Sequence, residues 1–125
     1  MNQAVDVNQL FDHTRFVELH AALLERLDQQ AAEAEIDVQL AALHSCLQQQ
    51  FAREELAMRE AGLSVLEPHK KHHDHALSKL AQRIALWQRE RNRVELLSYL
   101  EKELAEWFVS HVNIRDYMTA RHFAL

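Results

Sequence analysis

The sequence predicts an all-α, up-down-up-down antiparallel four-helix bundle, and three observations carry that prediction. One glycine and one proline in 125 residues leave little room for the turns that hairpin-linked strands need. Apolar residues recur at three- and four-residue intervals through four long stretches. The connections between those stretches are short, which makes successive helices antiparallel neighbours. A chain of this length has room for one domain with a real core, so residues 1–125 are expected to form a single domain.

The first helix is predicted from about Asn8 to Gln30, with an inward seam of His13, Val17, His20, Leu24 and Leu27. The Ala/Glu-rich stretch from Ala31 to Ile36 reads as a connection, and Asp37 as the cap of the second helix. That helix carries Leu40, Leu43, Leu47, Phe51 and Met58 inward and stops at Gly62. Ser64 and Glu67 form a capping-box pattern that opens the third helix, with Pro68 in its first turn, where a missing N–H costs nothing. The third helix runs to about Arg89. Glu90-Arg91-Asn92 contains no breaker, but Asn92 with Glu95 repeats the capping pattern and opens a fourth helix that reaches about His122.

Composition excludes several classes of function. A formal charge of −5 without a dense basic patch disfavours nucleic acid as a partner. No apolar stretch is long enough to span a bilayer, and the N-terminus lacks the basic start and apolar run of a signal peptide. The single cysteine, Cys46, rules out an internal disulfide and a cysteine-rich zinc site, which suits a reducing cytoplasm; it reads as a small core residue. Nine histidines are an excess that needs an explanation.

The explanation lies in their placement. His69/His73 and Gln50/Glu54 are each four residues apart, so each pair shares a helix face. At roughly 1.5 Å per residue, Glu54 and His73 stand about 12 and 13 Å from the turn between the second and third helices. His73 and His111 stand about 25 and 28 Å from the next turn, and His13 about 25 Å from the first. One layer of the bundle therefore receives candidates from all four helices. Imidazole with carboxylate suits iron, manganese or zinc, and bundle cores house paired metals in this way. Asp116 fits least well, because five residues place it about 140° around an α-helix from His111.

Competing readings are bland. His20 lies about 10 Å below the layer, so it reads as a buried histidine with a hydrogen-bond partner rather than a ligand. Glu55 points away from Glu54 and is expected to face solvent, as are His44, His72, His75 and His122. Phe16, Phe51, Trp107 and Phe108 are expected in the core.

The order His13, then Gln50-Phe51-Ala52-Arg53-Glu54-Glu55 with Met58, then His69-x-x-x-His73, then Trp107 ahead of His111-x-x-x-x-Asp116, resembles the hemerythrins, and among them the bacterial single-domain branch. The resemblance runs from about Phe11 to Tyr117. It implies two iron ions in the bundle, bridged by an oxo or hydroxo group and by Glu54 and Asp116. One iron would be held by His69, His73 and His111, the other by His13 and the residue at position 50. In that family O2 binds at the iron with fewer protein ligands and is held as a peroxide-level species. This chain departs from the pattern at position 50, where the family usually has histidine before Phe-x-x-Glu. Gln50 either coordinates weakly, yields its place to water, or leaves the second iron easily lost.

The resemblance thus implies an O2-binding di-iron protein for oxygen storage, delivery or sensing, ranked above an enzyme, with no catalytic residue assigned. The alternative is a di-iron enzyme that scavenges peroxide or nitric oxide, which sustained peroxide consumption without loss of iron would reveal. A metal-free interaction module would have to treat seven polar residues at one level of a core as coincidence. The protein partner, if any, is not legible.

Overall fold

A computed structural model of the chain describes residues 5–124, and its architecture follows from where each helix is started and stopped. A short helix, α1 (Val7–Leu10), opens under the Asp6 carboxylate, which accepts from the backbone N–H groups of Asn8 and Gln9. The chain then leaves helical geometry and restarts as α2 (Thr14–Asp28), with the Asp12 carboxylate accepting from both the N–H and the hydroxyl of Thr14. The expected continuous first helix is therefore two, because two aspartates offer the backbone a local alternative to the helix ladder. His13 sits at the junction.

The break also resets the helical phase. α2 buries Phe16, Leu19, Leu23 and Leu27, while Val17 is 52% exposed, so the seam lies one position away from the expected one. His20 is half-buried and donates from Nε2 to the Leu100 carbonyl at 2.8 Å, the role expected of it.

α3 (Glu33–Glu60) starts five residues earlier than expected, since Ile36 is fully buried and draws that turn into the core. Asp37 is inside the helix rather than capping it. Its carboxylate accepts from Trp87 Nε1 at 2.8 Å and Arg91 Nη1 at 2.6 Å, tying the start of α3 to the end of α4. α3 ends as expected. Gly62 has φ +66°, its N–H bonds to the Arg59 carbonyl, and the Leu63 N–H reaches back to Met58.

α4 (Leu66–Glu90) opens from Val65, one residue after Ser64, so the predicted Ser64/Glu67 capping box is not made. It ends at Arg91, a non-glycine residue at φ 52°. Asn92 does cap the next helix, accepting from the Glu95 N–H at 3.1 Å. The fourth rod is continuous but not uniform. α5 (Arg93–Ser98), α6 (Ala105–Ser110) and α7 (Tyr117–Ala124) are joined by two π-helical segments, Tyr99–Leu104 and His111–Asp116.

α2 packs on α3, α3 on α4, and the fourth rod closes against α2 and α4, completing the antiparallel four-helix bundle; no strand occurs among the described residues. Leu23, Ile36, Leu40, Leu80, Trp87 and Leu100 fill layers toward the ends joined by the first and third turns. The polar cluster lies toward the opposite end. No helix among the described residues is long and apolar enough to cross a membrane.

Candidate metal centre

Three elements bring five buried donors to one place. Glu54 comes from α3, His69 and His73 from consecutive turns of α4, and His111 and Asp116 from the π segment. One ligand atom from each lies within 4.8 Å of all the others, and none of the five residues is more than 3% exposed. The π segment removes the angular difficulty with Asp116. Its backbone bonds run from residue i to i+5, so residues five apart share a face, and His111 Nε2 comes within 3.0 Å of Asp116 Oδ1.

The three histidines all present Nε2 to the centre, because each Nδ1 is held from outside. His69 Nδ1 meets the Thr119 hydroxyl at 2.9 Å, His73 Nδ1 donates to Glu55 at 2.8 Å, and His111 Nδ1 meets His72 Nδ1 at 3.0 Å. Such partners fix ring orientation and tautomer in metal sites. Stacking adds to the restraint: Phe51 lies 3.8 Å from the His73 ring and parallel to it, and Trp107 lies 4.6 Å from that of His111.

The donors fit a metal ion. His73 Nε2, His111 Nε2 and Asp116 Oδ1 are buried without any hydrogen bond. A buried polar atom left in that state is costly unless something accepts its lone pair. Adjacent ligands around a first-row ion stand about 3.0 Å apart when each bond is about 2.1 Å. The neighbouring nitrogen–oxygen pairs here are separated by 3.0, 3.2, 3.3 and 3.4 Å.

The clustered donors also shift one another's ionisation. Burial opposes ionisation of Asp116, but the imidazoles of His111, His13 and His69 beside it hold its carboxyl far below the usual range. Burial likewise opposes ionisation of Glu54, and His69 and His73 outweigh it. Burial would strip His69 of its proton, yet Asp116 and Glu54 lift it to about 9, so an imidazolium lies between the two carboxylates. Burial pushes His111 down, and pushes His72, next to His111, to about 4.

His13 and Gln50 lie at the edge of the cluster. His13 Nε2 is 2.7 Å from Asp116 Oδ2 and 4.0 Å from Glu54 Oε2. The other oxygen of each carboxylate, Glu54 Oε1 and Asp116 Oδ1, is the one that approaches the three histidines of the five-donor centre. Gln50 is 4% exposed, and its amide nitrogen, not its oxygen, faces the cluster, donating to Glu54 Oε2 at 2.7 Å. A cleft of about 340 Å³ reaches this side, lined by Asp12, His13, Arg15, Cys46, Gln50 and Arg53 among others.

Sequence reasoning missed the outer partners. Glu55 is not a solvent-facing bystander but the acceptor for His73, and His72 is half-buried against His111. Thr119, 3% exposed, was not singled out, although its position three residues after Asp116 puts it on the same helical face. His75 is exposed as expected, whereas His44 and His122 are half-buried. Phe16 and Phe51 are buried, and Cys46, Trp107 and Phe108 pack partly buried against the core.

No family model and no solved structure matches the chain. Among curated proteins, a bacteriohemerythrin of Aquifex aeolicus is 30% identical over 115 residues, which is 92% of this chain and 77% of that protein. The alignment spans almost the whole chain, from the first helices to the last. Together with a helical bundle built around this buried donor set, it shows that the chain belongs to the bacteriohemerythrin family.

Proposed function

We propose that the chain is a non-heme di-iron protein that binds O2 for storage, delivery or sensing. His69, His73 and His111 would hold one iron, His13 would serve the other, and Glu54 and Asp116 would be shared between them. The observation that supports this most is the convergence of five buried donors with unpartnered atoms at their centre. The alternative, a metal-free module, leaves those atoms buried without hydrogen bonds, which is costly. Membership of the bacteriohemerythrin family supports iron as the native metal and O2 as the ligand.

A ferrous pair, when bound, supplies reversible two-electron exchange with O2. The chain's own residues do the rest. Glu55, Thr119 and His72 aim the three imidazoles, and Phe51 and Trp107 wall two of them from bulk water. Cytoplasmic residence is part of the proposal and rests on the single free Cys46, which suits a reducing compartment.

Anaerobic iron loading followed by metal counting tests the proposal. Two irons per chain, falling below one in His111→Ala, supports it; equal counts in both proteins contradict the ligand assignment. The cleft beside His13 and Gln50 opens this side of the site to exchange of small molecules, which favours a second reading, a scavenger of peroxide or nitric oxide. Sustained peroxide consumption without iron loss separates that reading from a carrier.

A further inference from the structure

The orientation of Gln50 is over-determined. Its Nε2 donates to the Leu10 carbonyl at 2.8 Å and to Glu54 Oε2 at 2.7 Å, while its Oε1 accepts from the Arg53 guanidinium. Turning the amide over would set its oxygen against two acceptors and its NH2 group against a cation, so the chemistry of the three partners fixes which end is which. The end facing Glu54 is therefore a nitrogen whose lone pair is delocalised into the amide and unavailable to a metal.

Arg53 is the residue that makes this arrangement firm. It sits one turn beyond Gln50 on α3, and it is exposed, so it has no packing role in the core. A hydrogen bond with a charged partner is worth roughly a factor of ten or more, so the guanidinium holds the amide oxygen turned away from the cluster against the pull of a cation. Leu10, the second acceptor, ends α1, three residues before His13. The two N–H groups of Gln50 thus tie the segment carrying His13 to the carboxylate of Glu54. An imidazole at position 50 has only two ring nitrogens and could not make both bonds while also facing a metal.

We infer that Arg53 and Gln50 are positioning residues that leave the second metal position with three protein donors, His13 Nε2, Glu54 Oε2 and Asp116 Oδ2. This rests on the di-iron reading above. Gln50 is a clamp on the bridging carboxylate and on the His13 segment, not a ligand. The second ion is accordingly held more weakly than the first, with more of its coordination left to exchangeable molecules from the adjoining cleft.

The test is an anaerobic calorimetric titration with Fe²⁺ of the wild type, Arg53→Met, Arg53→Lys and Gln50→His. The wild type takes up two ions in two resolved steps. Arg53→Met frees the amide oxygen to turn inward, so the second step tightens on the order of tenfold, the worth of one charged hydrogen bond. The first step stays unmoved, which shows that the fold and the five-donor centre are intact. Arg53→Lys, whose ammonium can still donate to Oε1, returns the second step to the wild-type value, and Gln50→His tightens it by adding a donor. A second step unchanged or weakened in Arg53→Met overturns the inference, since Gln50 is then either already a ligand or not held by Arg53. Two steps of equal affinity in the wild type overturn it as well. A wild type that takes up no Fe²⁺ at all defeats the di-iron reading itself, and the inference with it.

Discussion

Removing the metal should lower the melting temperature substantially without unfolding the protein. A cation that binds only the native state stabilises it by RT times the logarithm of one plus its free concentration over Kd, about 2.7 kcal/mol for one ion at a hundred times its Kd. A chain of 125 residues has an unfolding entropy of about 0.26 kcal/mol/K near its midpoint, from roughly 2.1 cal/mol/K per residue. The midpoint should therefore rise by about 10 °C per ion held at that excess. Two features keep the metal-free protein folded. The His69 imidazolium stands between Glu54 and Asp116, and the apolar layers of Leu23, Ile36, Leu40, Leu80 and Leu100 lie away from the cluster. The assay is thermal unfolding by circular dichroism under anaerobic conditions, with Fe²⁺ and then with a strong chelator. Coincident melting curves would refute the reasoning, because a native-state metal site cannot be thermodynamically silent.

Four further outcomes follow from the same geometry. Glu55→Ala should leave the fold in place while weakening metal binding about 10–100-fold in chelator competition, since it removes the acceptor that orients His73. Phe16→Ala should cost about 3–5 kcal/mol in urea unfolding, because the ring is 4% exposed and stacked 4.3 Å from Phe108. Val17→Ser should stay within about 0.5 kcal/mol, which checks the register of α2 directly. The Asp37 carboxyl is held below its ordinary value by the Arg91 and Trp87 hydrogen bonds. Its contribution to stability is therefore present above the unfolded carboxyl's pKa of about 3.9 and is lost as pH falls through the lower folded value. Asp37→Asn should flatten the acid limb of a stability-versus-pH curve below about pH 4, and an unchanged limb would contradict the assignment.

Much of this molecule is legible in its sequence, and what is not has identifiable causes. Helix rise alone brings Glu54, His73 and His111 to one height, because a bundle with short turns preserves distance along the axis. Rotation about the axis is harder to read. The phase of α2 depends on where it restarts, and the restart at Thr14 depends on a local bond from Asp12, so a seam drawn through His13 comes out one position off. Asp37 looks like a cap because it is an aspartate near a helix start, yet a tryptophan and an arginine fifty or so residues away claim its carboxylate.

The π segment is the most instructive case. No residue type announces one, and the five-residue spacing of His111 and Asp116, out of step with an α-helix, is its sole trace in the sequence. Glu55, His72 and Thr119 escape for a different reason. Each touches a histidine on another helix, or beside one, and interhelical contacts of that kind are fixed only once the bundle is assembled. Gln50 is legible as a departure from the family's pattern, but the direction of its amide depends on Arg53 and on the Leu10 carbonyl forty residues earlier.

Reversible binding of O2 at a pair of irons is tested by one optical experiment. The protein is loaded with excess Fe²⁺ without oxygen, freed of unbound metal, and its visible spectrum recorded before O2, after O2 and after O2 is removed. A charge-transfer band should appear with O2 and disappear on its removal over repeated cycles. No band, or one that forms once and never reverses, would contradict it.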